Sequence, residues 1–180
     1  MPPHTPGVLG ELAASVFLHP RRGIRRMPRE QAYLETARRL TLVTRVGELA
    51  AWEWGDAGRP AVVLVHGWEG HGAQLGAFAA PLVEAGFRVV AFDAPGHGES
   101  PGDEASVPLI ARVLVEIDAQ AGPLVAMIGH SMGAAAAAMS TTLGCRPRGL
   151  VLLAPPQSQA EPVRRLVERL QLSGEILRCF

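Results

Sequence analysis

Two rhythms of apolar residues run along this chain. Val8, Leu9, Leu12, Ala13, Val16 and Phe17 recur at helical spacing, and Pro20 stops that run. An Arg-rich connection follows, with Arg21, Arg22, Arg25, Arg26 and Arg29, and Glu30 to Leu40 reads as a second short helix. Thr41 to Val46 is rich in β-formers, and Leu49 to Trp54 alternates apolar with polar. With Gly47-Glu48 between them, these two runs predict a β-hairpin. Gly55 to Pro60 is a turn. Ala61 to Val65 is then continuously apolar, as a parallel strand buried on both faces must be.

The helical rhythm returns at Leu75, Phe78, Ala79, Leu82 and Val83, closed by Gly86. Phe87 to Phe92 is the next buried strand, and Asp93 to Ser100 is a tight Gly/Pro-rich loop. Leu109, Ile110, Val113, Leu114 and Ile117 form another helical stripe before the break at Gly122-Pro123. A strand from Leu124 to Ile128 leads into an Ala-rich helix, Met132 to Leu143, which Gly144 ends. Leu150 to Leu153 is a further apolar strand, and Val163, Leu166, Val167 and Leu170 line one face of a helix with Pro162 in its first turn. From residue 61 onward strands alternate with helices. That order predicts an α/β fold with a mostly parallel sheet, helices on both faces and right-handed crossovers. Ligands in such sheets bind beyond the C-terminal strand ends, so the loops after Val65, Phe92, Ile128 and Leu153 converge on one rim.

Composition narrows this picture. At 180 residues, 48% hydrophobic and 19% charged, the chain suits one globular domain with a real core. Its formal net charge of zero gives no reason to expect a nucleic-acid partner. Every basic residue other than histidine is Arg, there is no Asn, and both missing residues use AT-rich codons. The arginines at 21–29 are therefore read as a solvated linker in an Arg-biased chain, in preference to a patch for an anionic membrane or acidic partner. Cys145 and Cys179 have no metal-like spacing and make no disulfide framework. With no apolar run of membrane-spanning length and no basic region ahead of the first apolar stretch, the expectation is a cytoplasmic protein without a membrane span.

The chemistry concentrates at Gly129-His-Ser-Met-Gly133, a Gly-x-Ser-x-Gly pattern between a strand and a helix. A serine hydroxyl on so sharp a turn stands clear of its strand, with the first amides of the next helix beside it. The turn crowds the backbone, which Gly129 and Gly133 relieve. Among the histidines, His130 neighbours Ser131 but points elsewhere and is not expected to be its base. His71 is read as a pocket or surface residue and His97 as part of its turn. No pair has metal-ligand spacing, so no metal site is expected. Asp93 is expected to cap its loop and to take no part in catalysis.

Three segments in register, His66-Gly-Trp-Glu-Gly70, Asp93-Ala-Pro-Gly-His-Gly-Glu-Ser100 and Gly129-His-Ser-Met-Gly133, resemble the α/β-hydrolase superfamily, and within it bacterial serine hydrolases of esterase or serine-aminopeptidase type. The match covers residues 41 to 156. The resemblance implies Ser131 as nucleophile, an oxyanion hole from the amides of Met132 and Trp68 with Gly67 turning the backbone inward, a structural His66, no cofactor and a small-molecule acyl substrate. It divides the chain into an N-terminal helical extension (1–40), an incomplete hydrolase core (41–156) and the start of a lid or connecting helix (157–180).

One departure matters. On this fold the triad runs Ser, then Asp or Glu, then His, yet no histidine follows Ser131, and the acids that do (Glu161, Glu168, Glu175) follow no recognisable strand. The expectation is an N-terminal portion of a serine hydrolase, inactive alone and lacking the last strands, with Gly149 to Leu153 as an apolar sheet edge prone to self-association. The alternative is a truncated, non-catalytic pseudoenzyme or interaction module. The motifs do not separate esterase from peptidase or acyltransferase.

Overall fold

The computed structural model of the protein describes residue 15 and residues 18–121 and 124–158. Apart from Ser15, the helix expected at 8–17 lies outside them, as do the Gly122-Pro123 break, the helix expected around 163–170, and Cys179. A six-stranded sheet forms the centre. Its strands are β1 (Arg38–Thr44), β2 (Gly47–Trp54), β3 (Ala61–Val65), β4 (Arg88–Phe92), β5 (Leu124–His130) and β6 (Gly149–Leu153), in the order β1-β2-β4-β3-β5-β6. β1 and β2 run antiparallel and β2 joins β4 antiparallel, while β4, β3, β5 and β6 run parallel to their neighbours. The helices are α1 (Pro28–Glu35), a 3-10 helix (Gly72–Phe78) continuing into α2 (Ala79–Glu84), α3 (Val107–Ala121) and α4 (Met132–Thr142).

The two-residue period of the strands splits the core into two layers. Val63, Val65, Val90 and Phe92 face Ile110, Leu114 and Ile117 of α3 and Ala136 and Ala137 of α4. Val62, Leu64, Val89 and Ala91 face Leu34 of α1, Ala73 and Leu75 of the 3-10 helix, Ala79 of α2, and Trp52 and Trp54. Five consecutive residues of β3 are therefore buried. Each contributes on the order of 1.5–3 kcal/mol where the side chain is as large as Val or Leu. The continuous apolar run that looked like a doubly covered strand is one.

Three boundaries differ from the sequence reading. The helix expected over 30–40 ends at Glu35, because Arg38 and Arg39 do better in the sheet: Arg38 pairs with buried Glu53, and Arg39 lies 4.4 Å from the Trp52 ring centroid while bonding Glu99 at 2.8 Å. The hairpin turn is Arg45-Val46, with Thr44 opposite Gly47, so Gly47-Glu48 opens β2. The stripe at 75–83 is wound as 3-10 helix before it becomes α2.

β6 pairs with β5 through Ala126–His130. Leu150, Val151 and Leu152 on it stay 37%, 44% and 39% exposed, whereas the apolar residues of β3 and β4 are all buried. Cys145 is buried and free, and burial pushes its thiol pKa up.

Candidate functional site

Parallel strands point their C-terminal ends the same way, so Phe92, Val65, His130 and Leu153 open onto one rim, with Val65 level with Gly129 and Leu153 level with His130. Ser131 sits where β5 becomes α4, at φ +50° and ψ −117°. This is outside the ordinary wells for an L-residue and costs on the order of 1–3 kcal/mol. Its amide donates to Leu153 O at 2.9 Å, and its carbonyl accepts from Ala134 and Ala135. Its hydroxyl has no partner among the described residues.

The glycines of the motif are close-approach positions. A Cβ on Gly129 would stand 2.6 Å from Ala134 Cα and from Gly133 O, and one on Gly133 would overlap the carbonyls of Val65 and His66. α4 is thus seated on the end of β3, which brings the His66–Gly70 turn to the serine. A Cβ on Gly67 would lie 2.8 Å from His130 Nδ1 and 3.3 Å from Ser131 Cβ.

That turn is held from within. Gly67 N donates to Gln74 Oε1 at 2.8 Å, Glu69 N to His97 Nε2 at 3.1 Å and Gly70 N to Gly67 O at 3.0 Å. The amide of Trp68, between them, has no acceptor among the described residues. Met132 is the first residue of α4, where a helix amide has no intrahelical acceptor. The structure therefore gathers Gly67, Trp68, Gly129, Ser131, Met132 and Gly133 in one place.

His66 and His97 tie loops together. His66 Nδ1–H donates to Gly67 O at 2.8 Å and Nε2 accepts from Ala94 N at 2.9 Å, which ties β3 to the loop after β4. Burial, then proximity to His97, lowers its pKa to about 3, so it is neutral at pH 7. His97 donates from Nδ1 to Pro95 O and accepts from Glu69; burial lowers its pKa too. His71, expected in a pocket or at the surface, is buried beside Glu30 and lines a cavity of about 500 Å³ with Arg25, Arg26 and Gln31. His130 Nδ1 is buried without a partner. Asp93 is fully buried and accepts from Gly72 N at 2.6 Å and Glu99 N at 2.8 Å, so it caps its loop as expected.

The arginine linker is largely exposed, as expected, but it is also bonded: Arg21 bonds Glu69 through Nε (2.8 Å) and Nη2 (2.7 Å), Arg22 reaches Ser100 O, and Arg26 bonds Glu99 at 2.8 Å and Asp93 at 3.4 Å. The bond from Arg21 is the main reason that the Glu69 carboxyl titrates below its ordinary range. Acidic residues lie in the turn and loop that receive these arginines, but nothing in the spacing pairs them. Gln74 was likewise missed, since a glutamine seven residues after a glycine carries no pattern.

Among the described residues there is no group of three or more His, Cys, Asp or Glu placed to hold a metal ion, and no helix is long and apolar enough to cross a membrane.

Comparison with known proteins agrees with this architecture. The model of the alpha/beta hydrolase family matches residues 62–178, and the chain belongs to that family. It is 39% identical over 98 residues to a pimeloyl-[acyl-carrier protein] methyl ester esterase of Xanthomonas oryzae pv. oryzae, covering 53% of this chain and 36% of that protein. It is 36% identical over 103 residues to a serine hydrolase-like protein of Danio rerio, covering 54% and 31%. The chain thus spans about a third of the length of these relatives. Among solved structures, the thioesterase domain from the curacin biosynthetic pathway superposes with a TM-score of 0.61 at 27% identity, covering 75% of this chain and 53% of that one. A Paleococcus ferrophilus monoacylglycerol lipase gives 0.54 at 30% identity, covering 67% and 51%.

Proposed function

We propose that this chain carries the nucleophile and oxyanion half of a serine hydrolase acting on carboxylic esters or related acyl compounds. The observation that carries the reading is Ser131, held at a strained φ on the rim, its hydroxyl and the amides of Trp68 and Met132 beside it having no partner among the described residues. Ser131 Oγ attacks the acyl carbonyl, and its proton passes to a base. The carbonyl oxygen, now an oxyanion, is bound by the two amides, each supplying about 2.7–4 kcal/mol. Collapse expels the alcohol, which takes up the proton, and leaves an acyl-serine. Water then attacks this ester and releases the acid. The esterase, thioesterase and lipase among the similar proteins support an acyl substrate.

No histidine bonds Ser131 Oγ among the described residues, and none follows it in the sequence. The reading therefore requires a general base other than a histidine following Ser131 in this sequence, and that the chain alone turns over no substrate. A fluorophosphonate probe tests this: it labels the chain once the missing groups are supplied, and Ser131→Ala abolishes labelling. Labelling that survives Ser131→Ala refutes the nucleophile.

A second reading has its own observation, the exposed Leu150, Val151 and Leu152 on β6. As a non-catalytic module, the chain pairs along that edge, with a second copy or a partner. A monodisperse dimer on size exclusion supports it, and aggregation counts against it.

A further inference from the structure

Glu69 is a non-glycine residue at φ +53°, immediately after the Trp68 amide. A glycine would take this φ without strain, yet the chain places a carboxylate there. That carboxylate's partner is Arg21, which bonds it through Nε, Nη2 and its own backbone amide at 2.8, 2.7 and 3.2 Å. Glu69 is held at its other end as well, since its N–H donates to His97 Nε2. The peptide between Trp68 and Glu69 is thus fixed by contacts on its C-terminal side, and the one between Gly67 and Trp68, which carries the Trp68 amide, is held at Gly67 O by Gly70 N across Glu69 and by His66 Nδ1. The rest of the 18–27 segment is laid over the same loops. Leu18 O accepts from Ala105 N at 2.7 Å, Arg22 donates to Ser100 O, and Arg26 lies 5.1 Å from the Trp52 ring centroid while bonding Glu99. Arg21, Arg22 and Arg26 all lie outside residues 62–178, the part matched by the family.

We propose that the Arg21–Glu69 pair is a positioning clamp for the oxyanion turn: Glu69 aims the Trp68 amide at the oxyanion of the Ser131 adduct, and Arg21 holds Glu69 in its left-handed conformation. The proposal rests on the hydrolase reading above. Both residues act through the amide of Trp68, and neither touches substrate.

Two measurements test it, and they fail separately. In the 180-residue chain, amide hydrogen exchange at Glu69 and Gly70 quickens by roughly threefold in Arg21→Ala and Glu69→Gln, the size of effect an exposed bidentate pair supports. Arg21→Lys recovers part of it, and the amides of Leu64 and Ile128 in the sheet are unchanged. Exchange at 69 and 70 that is unaltered, or that rises equally in the sheet, overturns the clamp. In the complete enzyme with acid and base supplied, Arg21→Ala lowers kcat for an aryl ester by roughly three- to tenfold with KM within twofold, because the oxyanion exists only in the transition state. A change confined to KM, or none, overturns it too. Turnover that survives Ser131→Ala removes the hydrolase reading while leaving the exchange result to judge the clamp.

Discussion

Acid should unfold this protein well above the range in which its carboxylates titrate, and His66 is the reason. Its ring is fully buried, and both nitrogens are committed in the neutral form: Nδ1–H to Gly67 O, Nε2 to the N–H of Ala94. A second ring proton would point at that N–H with no water to solvate the charge. Its pKa is accordingly about 3 in the fold, against about 6.5 in the unfolded chain. For a base with a lowered folded pKa, the unfolded state binds the proton first. The stabilisation is complete above about pH 6.5 and is lost as pH falls toward 3. At about pH 5 the unfolded chain gains 1.5 pH units' worth of protonation, about 2 kcal/mol from this one residue. His97 and His71, also lowered by burial, add loss of the same sign. Glu69 and Glu99 are held below their ordinary range by arginines, so their contributions fade only as pH drops from about 4.5 through their folded values.

The assay is urea unfolding followed by the fluorescence of buried Trp52 and Trp54. With a urea slope of about 2 kcal/mol per molar, the midpoint should fall by about 1 M or more between about pH 7.5 and pH 5. His66→Gln should be less stable at the higher pH and show a slope shallower by one proton. A midpoint that does not move over this window, or a His66 ring that titrates in the native protein near 6.5 by NMR, would refute the reasoning.

Three further outcomes follow from the site. Ser131→Gly should be more stable than Ser131→Ala by about 1 kcal/mol, because only glycine relieves φ +50° and part of that gain is offset by its looser unfolded chain; equal melting temperatures would show that the elbow is unstrained. Gly133→Ala should destabilise by about 3 kcal/mol or more, since the new methyl overlaps the carbonyls of Val65 and His66; a soluble variant with native near-UV dichroism and unchanged urea midpoint would contradict the seating of α4 on β3. Asp93→Asn should cost about 3 kcal/mol, because the buried carboxylate accepts from Gly72 and Glu99 while facing Arg26 and an amide leaves one of these donors unmet; a loss under about 0.5 kcal/mol in denaturant titration would rule out that role.

How far the sequence reached depended on whether the deciding contact was local. β3 and β5 were legible because strand burial follows directly from an apolar run, and the elbow because Gly129 is set by atoms four and five residues away, Gly133 O and Ala134 Cα, although Gly133 answers to the distant carbonyls of Val65 and His66. The helix expected at 30–40 was misjudged past Glu35 because Arg38 and Arg39 answer to Glu53, Trp52 and Glu99, on other strands and loops. The arginines at 21–26 are mostly exposed, as expected, but their partners were hidden in the same way. Their acceptors lie 48 to 78 positions along the chain, and an Arg-only composition hid which ones had a task.

Backbone strain marks the same rim without any motif. The non-glycine residues with positive φ among those described are Glu69, Ser131 and Ala154, and each lies in the loop that leaves a parallel strand: β3, β5 and β6. At the opposite rim, where chains enter β3, β4 and β6, the positive φ values belong to Gly55, Gly86 and Gly144, which take them freely. A turn needed only to reverse the chain is served best by glycine. A side chain kept where glycine would save on the order of 1 kcal/mol or more is kept for what the side chain does. At Ser131 that is the hydroxyl, and at Glu69 the carboxylate that meets Arg21. Ala154 has no such side-chain task on view, but its neighbour Leu153 accepts the Ser131 amide and joins β6 to the elbow. Loosening that contact should loosen Ser131 with it.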